Sequence, residues 1–466
     1  MRKRILTALL ATIMTIGTLA GCSNKDTTSE SNKGVGNSAG ADKVNLNVWI
    51  MPNTPEPEKD FMAVIQPFLD ANPDISVTPT ILDWGSAWTK LTTAATSGEG
   101  PDISQIGSTW VAALGAMGAF EDLSPVYDQF GGTDSFLEAS LPTTQIAGGS
   151  ERYGVPWFID TRALYYRKDI CEAAGVNPDT DFETWDSFKE ALRKIKALGT
   201  YEGKEIIPFG MPGKNDWNVV HNFAPWIWGA GGEFVSEDGK TSEINSKEAI
   251  DGIKFYTELA NEGLLHKGTL EKNSSECDSL FLAGDFAVQF GGAWQVNSLE
   301  RQQKENDELI ANGETPETEA LIDKVGTKML PAGPAGRFCF YGGSSLTVFK
   351  SSKNKEAAYK LIEYLSQGDK QIEYQKIGGN LPAAKSAYED AWITDNPLRS
   401  VFKDQMQYGK SYPSIPGWSP SETLIQKGLS NVWDNVMGVF GDYSAEKTQE
   451  LMDAAAQECT TLYQQQ

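Results

Sequence analysis

The chain has 466 residues but only two histidines, His221 and His266. So few leave no room for a His-rich metal centre and little for a Ser-His nucleophile pair. Positive charge is also short: 40 Lys plus Arg stand against 63 Asp plus Glu, a net charge of -23. A surplus of that sign repels polyanions, so nucleic acid is excluded as a partner. There are five cysteines. Setting Cys22 aside, Cys171, Cys277, Cys339 and Cys459 lie far apart with neither CxxC nor metal spacing, and read as buried free thiols; export would permit a disulfide, but nothing selects a pairing. No Gly-x-Ser-x-Gly elbow or Walker A loop occurs, and Gly34-Val35-Gly36 precedes any strand and misses dinucleotide spacing. No cofactor and no metal is expected.

Apolar runs are scarce too, with one exception. After Arg2, Lys3 and Arg4 no charge appears until Lys25, and the apolar run ends in Leu19-Ala20-Gly21-Cys22. A basic start, an apolar core and small residues before Cys make an export signal over residues 1–21. Leu-Ala-Gly-Cys looks like a bacterial lipobox, which would lipidate Cys22 and anchor the mature chain, at -26 once three cations are removed, to the outer face of the cell membrane. The alternative is an uncleaved anchor, since the run is about long enough to span a bilayer. Residues 22–41 are Ser, Thr, Asn, Gly and charge with Val35 as the one large apolar residue, and read as a flexible tether.

Beyond the tether, the length fits two or three domains. Val44 to Ile50 alternates as a strand, and Phe61, Val64, Ile65, Phe68 and Leu69 recur at helical spacing, with Pro67 expected to kink or shorten that helix. Ile75, Val77 and Ile81 mark a second strand. Strand, helix, strand opens an α/β lobe. A third strand, Ile103 to Ile106, runs into Gly107-Ser108-Thr109-Trp110, beyond a strand's C-terminal end, where open α/β sheets collect ligands. Thr184 and Ser246 read as helix N-caps. Trp217, Trp226 and Trp228 sit among Asn and Gly in residues 213–232, Pro416-Gly417-Trp418 reads as a loop, and helices are expected around 432–440 and 445–463.

The stretch that organises the rest is Tyr153 to Asp169, YGVPWFIDTRALYYRKD. An aromatic plane at Trp157 beside Asp160 and Arg162 suits a polyhydroxylated ligand, because apolar sugar faces lie on a ring while hydroxyls need fixed polar partners. A core strand carrying a mutual Asp160–Arg162 salt bridge is the other reading.

That stretch, the Thr184-Trp185-Asp186 helix start, Gly231-Gly232-Glu233, AGDFAVQFGGAWQV ending near Trp294, and GGSSLTVFKSSKNKEAAYKLIEYLS resemble, in this order and with the lipobox, bacterial extracellular solute-binding protein family 1. The resemblance implies an α/β, two-lobed periplasmic-binding-protein-like (Venus-flytrap) fold with an interlobe cleft. It divides the chain into 42–159 plus 341–400, and 160–340 plus 401–466. It implies partners on other chains, a permease pair and a cytoplasmic ATPase, with this chain a monomer. By position it carries over Asp83, Trp84, Trp110, Trp157, Asp160, Arg162, Trp217, Trp228, Trp294, Tyr341 and Trp418 as ligand contacts, with Trp88 and Trp185 left to packing.

With this many rings an oligosaccharide is expected, β-glucan or xylan fragments before a maltodextrin or disaccharide. The rival is an exported carbohydrate-active enzyme, which needs two carboxylates flanking the bond. No compact acid/base signature stands out, so binding without catalysis is expected. A peptide or polyamine ligand is opposed by Arg162 in the cleft, and a ferric complex by the scarcity of His.

Overall fold

The computed structural model describes residues 43–465, so the signal, Cys22 and the tether lie outside the described residues. Strands β1 (Val44–Ile50), β2 (Ile75–Ile81) and β3 (Ile103–Gly107) are joined by helices α1 (Pro57–Ala71) and α2 (Trp84–Ser97). β1 lies between β2 and β3 and runs parallel to both. Helix α1 continues past Pro67 to Ala71, so the proline does not shorten it as expected. Pro67 is exposed, so the carbonyl that loses its helical partner there can turn to water.

Next comes β4 (Val155–Arg167), thirteen residues in one strand. Helix α3 (Trp185–Leu198) follows, opened by the Thr184–Ser187 capping box. Then come β5 (Ile207–Gly210), α4 (Val219–Gly229), α5 (Lys247–Asn261) capped by Ser246, and α6 (Ser274–Leu282). After β6 (Phe286–Gly292), α7 (Trp294–Ala311) and β7 (Val325–Lys328), the chain enters β8 (Cys339–Val348). Helices α8 (Lys355–Ser366), α9 (Gly368–Gly378), α10 (Trp418–Val436) and α11 (Ala445–Tyr463) complete the main elements. Trp418 is therefore the first residue of a long helix, not part of a loop; that helix opens right after Pro416-Gly417 and extends well upstream of residue 432.

The strands form one mixed sheet in the order β2-β1-β3-β8-β4-β6-β5. Strand β4 changes partners midway. Val155 to Thr161 pair antiparallel with β8, whereas Arg162 to Tyr166 pair with β6, and β7 pairs along its last four residues. The strand thus passes from one half of the sheet to the other between Thr161 and Arg162.

Separate cores lie on either side of that passage. One packs Leu46, Val48 and Ile50 of β1 with Phe61 and Ile65 of α1, Leu361 and Ile362 of α8 and Tyr374 of α9, and also draws in Phe281, Val296 and Leu299. The other packs Leu192 of α3, Phe223 and Trp226 of α4, Ile253 and Tyr256 of α5, Leu429 and Trp433 of α10 and Cys459 of α11. A smaller cluster under α2 joins Leu82, Leu91, Ile106 and Leu114. Burial of apolar side chains on this scale is the main driving term for the fold.

β8 carries a register shift between Ser344 and Ser345. Just before it, Gly343 has φ +145°, and a Cβ there would stand 2.1 Å from the Phe158 carbonyl oxygen, so only glycine lets β8 approach β4.

Candidate binding cleft

A cavity of about 1080 Å³ opens where β4 changes partners, lined by residues from both halves of the sheet. Strand alternation decides which part of β4 reaches it. Phe158, Asp160 and Arg162 line the cavity. Trp157, one residue out of step, faces the opposite way into the core, fully buried. There it stacks on Tyr374 at 4.6 Å and meets Phe61 edge-on. The expectation that Trp157 touches ligand is therefore corrected: its ring is a packing element.

The aromatic wall is built from element ends. Trp84 opens α2, Trp110 follows β3, Trp217 precedes α4 and Trp294 opens α7, and all four line the cavity. Trp84 stacks on Trp217 at 5.5 Å and 17°, joining the two halves, and Trp110 lies 5.6 Å from Trp84 and 5.9 Å from Trp88. Trp88 also lines the cavity, although packing alone was expected of it.

Four other expected contacts do not reach the cavity. Asp83 is spent as the N-cap of α2, its Oδ1 accepting the Gly85 N–H at 3.0 Å. Trp228 is buried between Phe234 and Tyr412, and Trp418 stacks on Tyr412 at 4.3 Å. Tyr341 is buried with Gly409 against its ring. For these three the aromatic-and-glycine context marks tight packing, not a ligand surface.

Arg162 is the hub of the polar side. Its Nη1 donates to Asp160 Oδ1, its Nη2 donates to Asn218 Oδ1 at 3.1 Å, and its guanidinium carbon lies 4.6 Å over the Trp294 ring. Burial lowers its pKa to about 10, which leaves it charged at neutral pH. Asp216 accepts the backbone N–H of Asn218 at 2.6 Å and that of Ser274, tying the Trp217 loop to the start of α6. Asp278 on α6 accepts from Trp294 Nε1 at 2.9 Å and Gln289 Nε2 at 2.8 Å. Burial pushes Asp278 up to about 6 despite these donors, and pushes Glu422 on α10 up to about 7. His221 lines the cavity but is committed to packing, its ring 3.8 Å from Phe340 and its Nδ1 2.9 Å from Tyr412 Oη. Burial holds it neutral.

Trp88, Asp216, Asn218, His221, Asp278 and Glu422 escaped the sequence reading. For Asp278 the local pattern, Asn273 to Glu276, signals only a helix start, and that capping box does form. Among the described residues no group of three or more His, Cys, Asp or Glu side chains is placed to hold a metal ion. The cleft offers flat apolar faces, one fixed ion pair and hydrogen-bonding groups of both kinds.

Residues 52–371 match the family model for bacterial extracellular solute-binding proteins. The chain belongs to this family. A binding protein of Brucella abortus is 29% identical over 377 residues, covering 80% of this chain and 84% of that one. The diacetylchitobiose binding protein of Streptomyces coelicolor is 25% identical over 435 residues, covering 89% and 93%. A crystal structure of an ABC transporter solute-binding protein from Thermotoga lettingae, bound with α-D-tagatose, superposes with a TM-score of 0.74 at 24% identity, over 90% of this chain and 99% of that one. The fold of this solute-binding protein is thus the two-lobed α/β architecture. Among the described residues no helix is long and apolar enough to cross a membrane.

Proposed function

We propose that this protein is the substrate-binding lipoprotein of an ABC sugar importer, held at the outer face of the cell membrane through Cys22. It captures an oligosaccharide, β-glucan or xylan fragments in preference to maltodextrin, and hands it unaltered to a permease driven by a cytoplasmic ATPase. The observation that carries this reading is the one cavity that Trp84, Trp88, Trp110, Trp217 and Trp294 line together with the Asp160–Arg162 pair. Sugar rings stack on the indoles, while fixed polar groups exchange water for hydroxyls; leaving one such buried group unpaired costs about 1–3 kcal/mol, which is how hydroxyl configuration is discriminated.

We assign residues 42–159 with 341–400 to one lobe and 160–340 with 401–466 to the other, except that Phe281, Val296 and Leu299 pack into the core of the first. Strands β4 and β8 cross between them and serve as the hinge, and closure on ligand reports occupancy to the permease. The protein acts as a monomer. The name of the Streptomyces relative, a binder of a disaccharide, supports a short saccharide as ligand.

A thermal-shift screen across glucan, xylan, mannan and maltodextrin oligomers tests this, with chromatography of the recovered sugar. A rise in melting temperature with intact sugar supports it; shortened sugar, or no response to any saccharide, contradicts it. Retention of the protein in membranes should be lost in Cys22→Ala.

A further inference from the structure

The Trp294 indole is held by three features around it. Arg162 and Gly292 are cross-strand partners in β4 and β6, so their side-chain positions share one face of the sheet. Gly292 has no side chain there, and a Cβ would stand 1.9 Å from Trp294 Cζ3, so the ring folds back over this glycine. Beside it the Arg162 guanidinium covers the ring at 4.6 Å. Neither of these contacts is a hydrogen bond to the ring. The third is one: Asp278 Oδ2 accepts the indole Nε1–H at 2.9 Å. Asp278 is itself held, since its Oδ1 accepts from Gln289 Nε2 at 2.8 Å, and Gln289 is a buried residue of β6.

We infer that Asp278 is a positioning residue for sugar recognition: it fixes the plane of Trp294, through the indole N–H, so that the ring surface left open by Arg162 and Gly292 is presented to the cavity. This rests on the saccharide-binding reading above and adds to it a residue that pre-orients one of its stacking surfaces. Pre-orientation matters because a ring free to turn must be ordered when ligand binds, which weakens affinity without altering any contact. An Asn at 278 keeps an acceptor oxygen for the indole, and Gln289, whose Oε1 has no partner, can turn its amide to receive the new N–H₂. An Ala keeps neither.

The test is a double-mutant cycle by calorimetric titration of cellotetraose, xylotetraose and maltotetraose into the full-length protein. The variants are D278A, D278N, W294A and D278A/W294A, compared on the tetrasaccharide that wild type binds most tightly. D278A should weaken binding roughly tenfold, D278N should restore it to within about threefold, and D278A should cost nothing further once Trp294 is gone. D278A binding like wild type, or losses that multiply in the double variant, would overturn the inference, the second because Asp278 would then be touching sugar itself. W294A binding like wild type would overturn the saccharide site and this inference together. A readout independent of sugar is the Trp294 indole N–H resonance of the ligand-free protein: D278A should move it and D278N should move it less. An unchanged resonance in D278A overturns the inference whatever binds.

Discussion

Two sets of tryptophans in this protein are chemically identical and do opposite things. Trp84, Trp88, Trp110, Trp217 and Trp294 line the cleft, whereas Trp157, Trp226, Trp418 and Trp433 are fully buried. Four of the first set stand where an element begins or ends, so that one edge is packed and a face is left over. Trp157, Trp226 and Trp433 lie in the body of a strand or helix with neighbours on every side. Trp418 warns against making position alone the rule: it also opens a helix, but Tyr412 closes over it at 4.3 Å. The difference lies in what third element arrives over the ring.

Substitutions can break this contrast, starting with the largest effect. Trp157→Ala should lower the free energy of unfolding by about 3–5 kcal/mol, read by chemical denaturation, because it empties a closed site between Phe61 and Tyr374. The folded fraction should still bind sugar within about twofold of wild type by calorimetry; a larger loss would put Trp157 back in the cleft. Trp294→Ala should do the reverse, weakening binding by about 2 kcal/mol, or roughly 30-fold, with a smaller loss of stability than Trp157→Ala. Trp217→Ala should cost about 1 kcal/mol of binding, near fivefold, since Trp217 is 40% exposed and gives up a stack with Trp84.

The smallest effect sharpens the polar side of the contrast. Burial raises Asp278 from 3.8 to about 6 and Glu422 from 4.5 to about 7. Both groups therefore hold a proton more readily folded than unfolded. The unfolding free energy of the ligand-free protein should fall as pH rises from the ordinary carboxylate range through those values. Denaturation midpoints measured across that range should show the slope, and Glu422→Gln should flatten its upper part. An unchanged slope would mean that the Glu422 carboxyl is well solvated.

Much of the fold was legible because periodicity and caps are local. The Thr184 and Ser246 caps and the alternation of β1 need only a few neighbouring residues, and they form where expected. In the cleft the same local logic extends to Trp157, which is odd-numbered in a strand whose even-numbered Phe158, Asp160 and Arg162 share the other face. Strand parity alone separates it from the pair. Asp278 and Glu422 carry no such local sign. Each reaches the cleft because separate elements converge, Asp216 tying the Trp217 loop to α6 and Ser419 at the start of α10 donating its hydroxyl to the Thr109 carbonyl. No spacing within one segment encodes that.

On the proposed function, saccharide is held by the indoles of the cleft and not by those of the core. An indole ¹H–¹⁵N spectrum of all thirteen tryptophans, recorded during saccharide titration, tests it most directly. The large shifts should fall on Trp84, Trp88, Trp110, Trp217 and Trp294, while Trp157, Trp226, Trp418 and Trp433 stay in place. Shifts led by the buried set, or a spectrum that no saccharide changes, would contradict the account.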